Sequence, residues 1–236
     1  TLPDLDSLSS GIGTITIESG TIEFLGLITE APEKITALSG TVSWPRFDGR
    51  LSATLSGLWR GAAFQQTTEI YQAILLFAER ITGVRTAFSS EILDYTFDGR
   101  LSIGEAPFAE GALTFASASL RQALDWLQAG IEPGRAIGEV SLQGNLRGDG
   151  KRVRFENVSM VLQGSSGSGV FEFAYGDNAK PSLTATLDFL DLDVLSYLSA
   201  FTGFPRSLAE IGDPVSTAFI DQLDVDLRLS ATRATA

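Results

Sequence analysis

Apolar and polar residues alternate with a period of two along much of this chain. Val140, Leu142 and Leu146 alternate with Glu139, Ser141, Gln143 and Asn145, and Leu183, Ala185, Leu187 and Phe189 alternate with Ser182, Thr184, Thr186 and Asp188. Successive side chains of a strand point to opposite faces of its sheet, so each run reads as a half-buried strand. Phe171, Phe173 and Tyr175 repeat the pattern, as do Leu223, Val225, Leu227 and Leu229 against Asp224, Asp226, Arg228 and Ser230. A sheet with one apolar face and one wet face is expected.

The segment 151–163 carries Val153 and Phe155 on one parity and Val158, Met160 and Leu162 on the other. Such a switch within one strand needs an extra residue, which predicts a β-bulge near Glu156-Asn157. Turn chemistry separates the runs. Gly148-Asp149-Gly150 is a hairpin signal, Gly164 to Gly169 reads as a flexible Ser/Gly connection, and Gly176-Asp177-Asn178 precedes Lys180-Pro181. In the first hundred residues, Thr14–Ile17 and Thr21–Phe24 are expected to pair as a hairpin about Glu18-Ser19-Gly20. Further strands are expected over Ile35 to Trp44, Leu51 to Leu58 and the run after Ala63. Phe47-Asp-Gly-Arg-Leu-Ser52 recurs as Phe97-Asp-Gly-Arg-Leu-Ser102, which suggests either a repeated strand–turn unit or an Asp-Gly turn used twice.

Two helices stand out. Ser119 and Gln122 form a capping-box pattern ahead of Leu120, Leu124 and Leu127, with Gly130 and Pro133 as stop signals; a second helix is expected around Val194 to Phe201, with a further turn between Ser207 and Ile211. The fold class expected is mainly β, a long antiparallel meander sheet, curved or groove-forming, with two or three short helices. Three regions follow: an N-terminal β-repeat region over 1–104, a helical connection over 105–135, and a C-terminal antiparallel region over 136–236 with a short helical segment near 194–212.

Composition restricts the chemistry. The 236 residues include no histidine and no cysteine, which removes imidazole acid–base work, thiolate nucleophiles, disulfides and the usual zinc and iron–sulfur ligands. Seventeen basic against twenty-nine acidic residues give a net charge of −12, so a phosphate backbone is a poor partner and no nucleic acid is expected. The longest apolar stretch, Ile70 to Ala78, covers nine residues, whereas a membrane-spanning helix needs roughly 20. The start at Thr1, with no charged and apolar leader behind it, reads as a cut N-terminus.

Candidate sites are few. Asp188, Asp191 and Asp193, echoed by Asp221, Asp224 and Asp226, offer three carboxylates to a hard cation, but strand residues three apart face opposite ways and neither run has the loop glycine of an EF-hand. No metal and no other cofactor is expected. Gly164-Ser-Ser-Gly-Ser-Gly169 lacks the Gly-Lys of a phosphate loop, and Lys34, Lys151 and Lys180 stand in no Ser-x-x-Lys spacing. Trp44, Trp59 and Trp126 read as packing residues. No catalytic residue is assigned, and no enzyme is expected.

The stretch Ser117 to Leu198 resembles the AsmA family of bacterial envelope proteins. The resemblance lies in Ser119-Leu-Arg-Gln-Ala-Leu-Asp-Trp-Leu127 with Pro133-Gly134, in Phe155-Glu-Asn-Val158 and Gly167-Ser-Gly-Val-Phe-Glu-Phe173, and in Lys180-Pro-Ser-Leu-Thr-Ala-Thr-Leu187 running into Leu190-Asp-Leu-Asp193 and Tyr197-Leu198. Ile17-Glu-Ser-Gly-Thr-Ile22 and Asp224-Val-Asp-Leu-Arg-Leu-Ser230 look like the recurring strands of the same family. The resemblance implies a periplasmic segment of an inner-membrane-anchored protein, involved in outer-membrane lipid homeostasis and similar to bridge-like lipid transfer proteins. Its expected partners are phospholipid acyl chains and envelope proteins, with membrane attachment only through a segment absent from this chain.

An apolar sheet face with few helices to cover it wants a second sheet or a ligand. Val140, Leu142, Phe155, Phe171, Phe173, Leu183, Leu187 and Phe189 are the residues expected to line a lipid-binding face, and they are equally what a core would use. A structural module that recruits envelope partners by strand addition, and a carboxylate-dependent enzyme acting on glycans, remain the alternatives.

Overall fold

The computed structural model describes residues 10–25, 32–128, 138–176, 179–193 and 224–235. They form twelve strands and two short helices, and the strands hydrogen-bond in one sheet whose order follows the sequence from first to last. Contacts group the chain into two compact units, Thr1–Leu113 with Arg147–Gly150, and Thr114–Leu146 with Lys151–Ala236.

The first unit holds β1 (Gly13–Leu25), β2 (Pro32–Trp44), β3 (Leu51–Trp59), β4 (Ala62–Ile70), β5 (Thr82–Ser90), β6 (Asp94–Ser102) and most of β7 (Phe108–Ser117). Pairing from β1 through β6 is antiparallel. The turns use left-handed residues where reversals are tight: Arg60 and Gly61 (φ 48° and 81°) join β3 to β4, the two-residue geometry that matches strand twist. A single-turn helix, α1 (Ala73–Phe77), interrupts the β4–β5 connection. It falls inside the apolar run Ile70 to Ala78 and is too short to show a helical period.

The second unit is built on α2 (Leu120–Leu127), most of β8 (Val140–Asp149), β9 (Arg152–Leu162), β10 (Ser165–Gly176), β11 (Ala179–Asp193) and β12 (Asp224–Thr235). The Ser119 hydroxyl accepts from the Gln122 backbone N–H at 3.3 Å, and α2 ends on left-handed Gln128. The β-bulge stands where the parity switch puts it. Phe155 pairs with Phe171 and Val158 with Gly169, so Glu156 and left-handed Asn157 (φ 52°) together oppose Val170. The pairings from β9 to β11 are antiparallel, but β12 runs parallel to β11. Thirty residues separate Asp193 from Asp224, ample for the dozen or more that a parallel crossover requires. The expected helical segment near 194–212 lies outside the described residues, as do Gly130 and Pro133.

Three expectations are corrected. The hairpin about Glu18-Ser19-Gly20 does not form: β1 runs on through these residues, and left-handed Ser19 and Ala37 (φ 52° and 51°) absorb the irregularity as register shifts against β2. The Gly164 to Gly169 connection shrinks to the turn Gln163-Gly164, both left-handed, and Ser165 onward is strand. Its glycines serve close packing instead, since a Cβ on Gly167 would lie 2.7 Å from the Phe189 ring. The repeated hexapeptide is not a repeated unit. Phe47 to Arg50 form the β2–β3 turn, whereas Phe97 to Ser102 lie inside β6. There Gly99 meets Gly111 of β7 so closely that a Cβ on Gly99 would sit 2.3 Å from the Glu110 carbonyl oxygen.

Candidate functional site

Cross-strand register collects the apolar residues of the second unit into rows. Val153, Phe173, Leu183 and Val225 pair in one row, and Phe155, Phe171, Ala185 and Leu227 in the next. Beyond the bulge follow Val158, Gly169, Leu187 and Leu229, then Met160, Gly167, Phe189 and Ala231. Directly paired residues share a face, so these four rows make one apolar surface. By strand spacing and rise it measures about 14 Å across and about 20 Å along the strands. Phe155 and Phe171 stack with centroids 4.5 Å apart. Gln163 N–H donates to the Glu139 carbonyl, and Gly144 lies against Val158, which sets Val140 and Leu142 on the same face.

Burial divides the eight lining candidates. Phe189 is 1% exposed and Val140 6%. Phe189 lies over Gly167, in a cluster with Leu192 ringed by Met160, Leu162, Leu187 and Ala231. The other six, Leu142, Phe155, Phe171, Phe173, Leu183 and Leu187, are half-buried, and the edge residues Val225 and Leu229 are 38% and 40% exposed. Val158 and Ala185 of the same rows are also buried, 2% and 3% exposed, so the surface has a packed end at Phe189 and, around these two, a half-open remainder.

The opposite face is wet. Glu172 is flanked by Arg152 and Arg154 at 3.9 and 3.8 Å, and Lys180 meets Asp224 at 2.9 Å. The aspartate runs are engaged as well. Asp188 accepts from the Ser230 hydroxyl at 2.8 Å, and Asp191 pairs with Arg233 at 2.7 Å. Among the described residues, no group of three acids is placed to hold a metal ion.

The first unit carries an apolar face that the sequence reading did not single out. Ile17, Gly40, Leu55, Gln66, Phe88 and Tyr95 form one row across six strands, and Ile15, Val42, Ala53, Thr68, Thr86 and Phe97 another. Phe88 stacks on both Phe64 and Tyr95 at 5.6 Å and meets Trp59 edge-on at 6.4 Å. A polar island interrupts this surface. The Gln66 amide donates to the Thr68 and Thr86 hydroxyls, which lie 3.0 Å from each other. Burial pushes the Tyr95 phenol up, against the pull of its bonds to Thr86 and Gln66. Those polar residues at strand-face positions hid the apolar face of β4 and β5, although the run after Ala63 read as a strand.

At the margin of the same face, Glu33 is 6% exposed and receives the Trp59 indole N–H at 3.0 Å and both the Nε and terminal N–H groups of Arg60. The Arg60 guanidinium first, then the Trp59 indole, holds its carboxyl below the usual carboxylate range. Arg60 also lies over the Trp59 ring at 5.2 Å. Its place in the β3–β4 turn makes this cluster a pin between β2 and that hairpin.

No family model matches the chain, and neither a curated protein nor a solved structure matches it. No helix among the described residues is long and apolar enough to cross a membrane.

Proposed function

We propose that this chain is a non-enzymatic lipid-binding or lipid-transfer segment of an AsmA-like protein, periplasmic and inner-membrane-anchored, that serves outer-membrane lipid homeostasis and envelope biogenesis. The observation that carries the reading is the four-row apolar surface of β9 to β12, on which five of the six half-buried lining residues lie, with the sixth, Leu142, beside it on β8. Its strand-wise length of about 20 Å exceeds the roughly 15 Å that one leaflet's chains occupy in a bilayer, so an acyl chain fits along it. Each square ångström withdrawn from water contributes about 25 cal/mol. The headgroup stays in water, and no catalytic group or cofactor is required.

The test is a charge placed on the half-open part. Phe173→Glu and Leu187→Glu would bury an unpaired carboxylate in a closed core, a cost of several kcal/mol against a total stability of about 5–15. On a face that water reaches, the carboxylate stays solvated. The expected outcome is a near-native melting transition in at least one variant, with much less co-purifying phospholipid than wild type. Unfolding of both, or unchanged lipid in a folded variant, would overturn the assignment.

A second reading is favoured by the sheet edges. Among the described residues, β1 and β12 each have one strand neighbour, and Ile15, Ile22 and Leu25 of β1 are exposed. An envelope partner adding a strand there would satisfy the open backbone groups.

A further inference from the structure

Trp44 ends β2 with 8% of its surface exposed, and its indole Nε1 has no hydrogen-bond partner among the described residues. A buried indole N–H ordinarily finds an acceptor, because a donor stripped of water and left unpaired is costly. Its surroundings are aromatic. Phe47 meets the Trp44 ring edge-on at 4.7 Å, and Phe77 lies at 5.7 Å. A ring is a weak acceptor and does not replace an oxygen.

The element that carries Phe77 is loosely held. α1 is one turn long, Gln72 gives it no side-chain cap, and Ala73 is its single buried residue. Phe77 is 64% exposed although it touches Trp44. A single turn with one buried anchor belongs to the least stable part of a fold. The two arginines of the β2–β3 turn are already engaged, Arg46 with Asp48 and Arg50 with Glu69 and the Tyr71 ring. The locus thus offers one neutral donor in a hydrocarbon setting, which suits a neutral acceptor on an apolar molecule and not a phosphate or a free carboxylate.

We infer that Trp44 is a binding point for an acyl ester: the ester carbonyl oxygen accepts from Nε1, and the adjoining hydrocarbon replaces Phe77 against the Trp44 and Phe47 rings when α1 turns aside. The inference rests on the lipid reading above and adds to it a second locus, in the first unit, with a stated chemical preference.

Calorimetric titration of the full chain with dihexanoylphosphatidylcholine and with its dihexyl ether analogue, both as monomers, separates the possibilities. The two share headgroup and chain length, and the ether lacks the carbonyl oxygens. The ester is expected to bind about fivefold more tightly, the worth of one neutral hydrogen bond, and Trp44→Phe is expected to abolish that difference by weakening the ester alone. Equal binding of the two lipids to wild type, or a difference that survives in Trp44→Phe, would overturn the inference and leave the lipid reading standing. Binding of neither lipid would overturn both. The wild-type comparison needs no variant, so equal binding of the two lipids would overturn the inference even if Trp44→Phe fails to fold.

Discussion

Glu33 shows how a single carboxylate ties folding to pH. Its acidity is enhanced in the folded chain by Arg60 and Trp59, so the folded state holds its proton less tightly than the unfolded chain does. The resulting stabilisation is complete above the ordinary glutamate range and is lost as pH falls through the depressed folded value. Chemical denaturation from pH 6 down to pH 3 should therefore show a loss of stability that is smaller in Glu33→Gln; an identical acid dependence in the two proteins would remove Glu33 from the account. Phe189 teaches a different lesson at the same scale. Its period-two position was legible, but its near-complete burial depends on Gly167 opposite, which the Ser/Gly-rich composition of Gly164 to Gly169 disguised as a loop. Phe189→Ala is expected to cost about 3–5 kcal/mol, as for a buried aromatic, whereas truncating half-buried Leu183 should cost clearly less. Equal losses in urea titration would contradict the division between the packed end and the half-open remainder.

Elements were legible where local chemistry decides them. The Ser119 cap and the bulge at Glu156-Asn157 both follow from side chains within a few positions, and both stand in the fold. Ser119→Ala should cost about 1 kcal/mol, or roughly 2–4 °C in melting temperature for a chain of this size, read by a thermal scan. Elements that depend on a neighbouring strand were not legible. Phe47 to Ser52 and Phe97 to Ser102 are the same letters, yet Asp48 bonds back to Arg46 in a turn while Asp98 reaches across to Arg85 on β5 at 2.7 Å. Gly99 was equally ambiguous, since its need for Gly111 opposite appears only once β6 and β7 pair. Gly99→Ala is expected to destabilise by about 1–3 kcal/mol through forced backbone displacement, while Gly61→Ala, with open space around its Cβ, should lose only the smaller cost of a left-handed alanine. A urea titration ranking them the other way would contradict the close β6–β7 approach.

At the scale of the whole molecule, most of the sequential strand order follows from short connections, because neighbours in sequence pair most readily when a turn joins them; β7–β8 and β11–β12 are joined by longer ones. The parallel pairing of β11 with β12 was hidden because alternation fixes the face of each strand but says nothing about its direction. That the eight lining candidates share a face was legible for the same reason, and their unequal burial was not, since it comes from glycines and bulges on partner strands. The proposed role of the apolar surface of β9 to β12 is to shelter acyl chains. Its most direct test is solvent extraction of the protein purified without detergent, followed by quantitative lipid mass spectrometry. Phospholipid at about one molecule or more per chain is the expected result; protein that folds and carries no phospholipid above a matched control would contradict it.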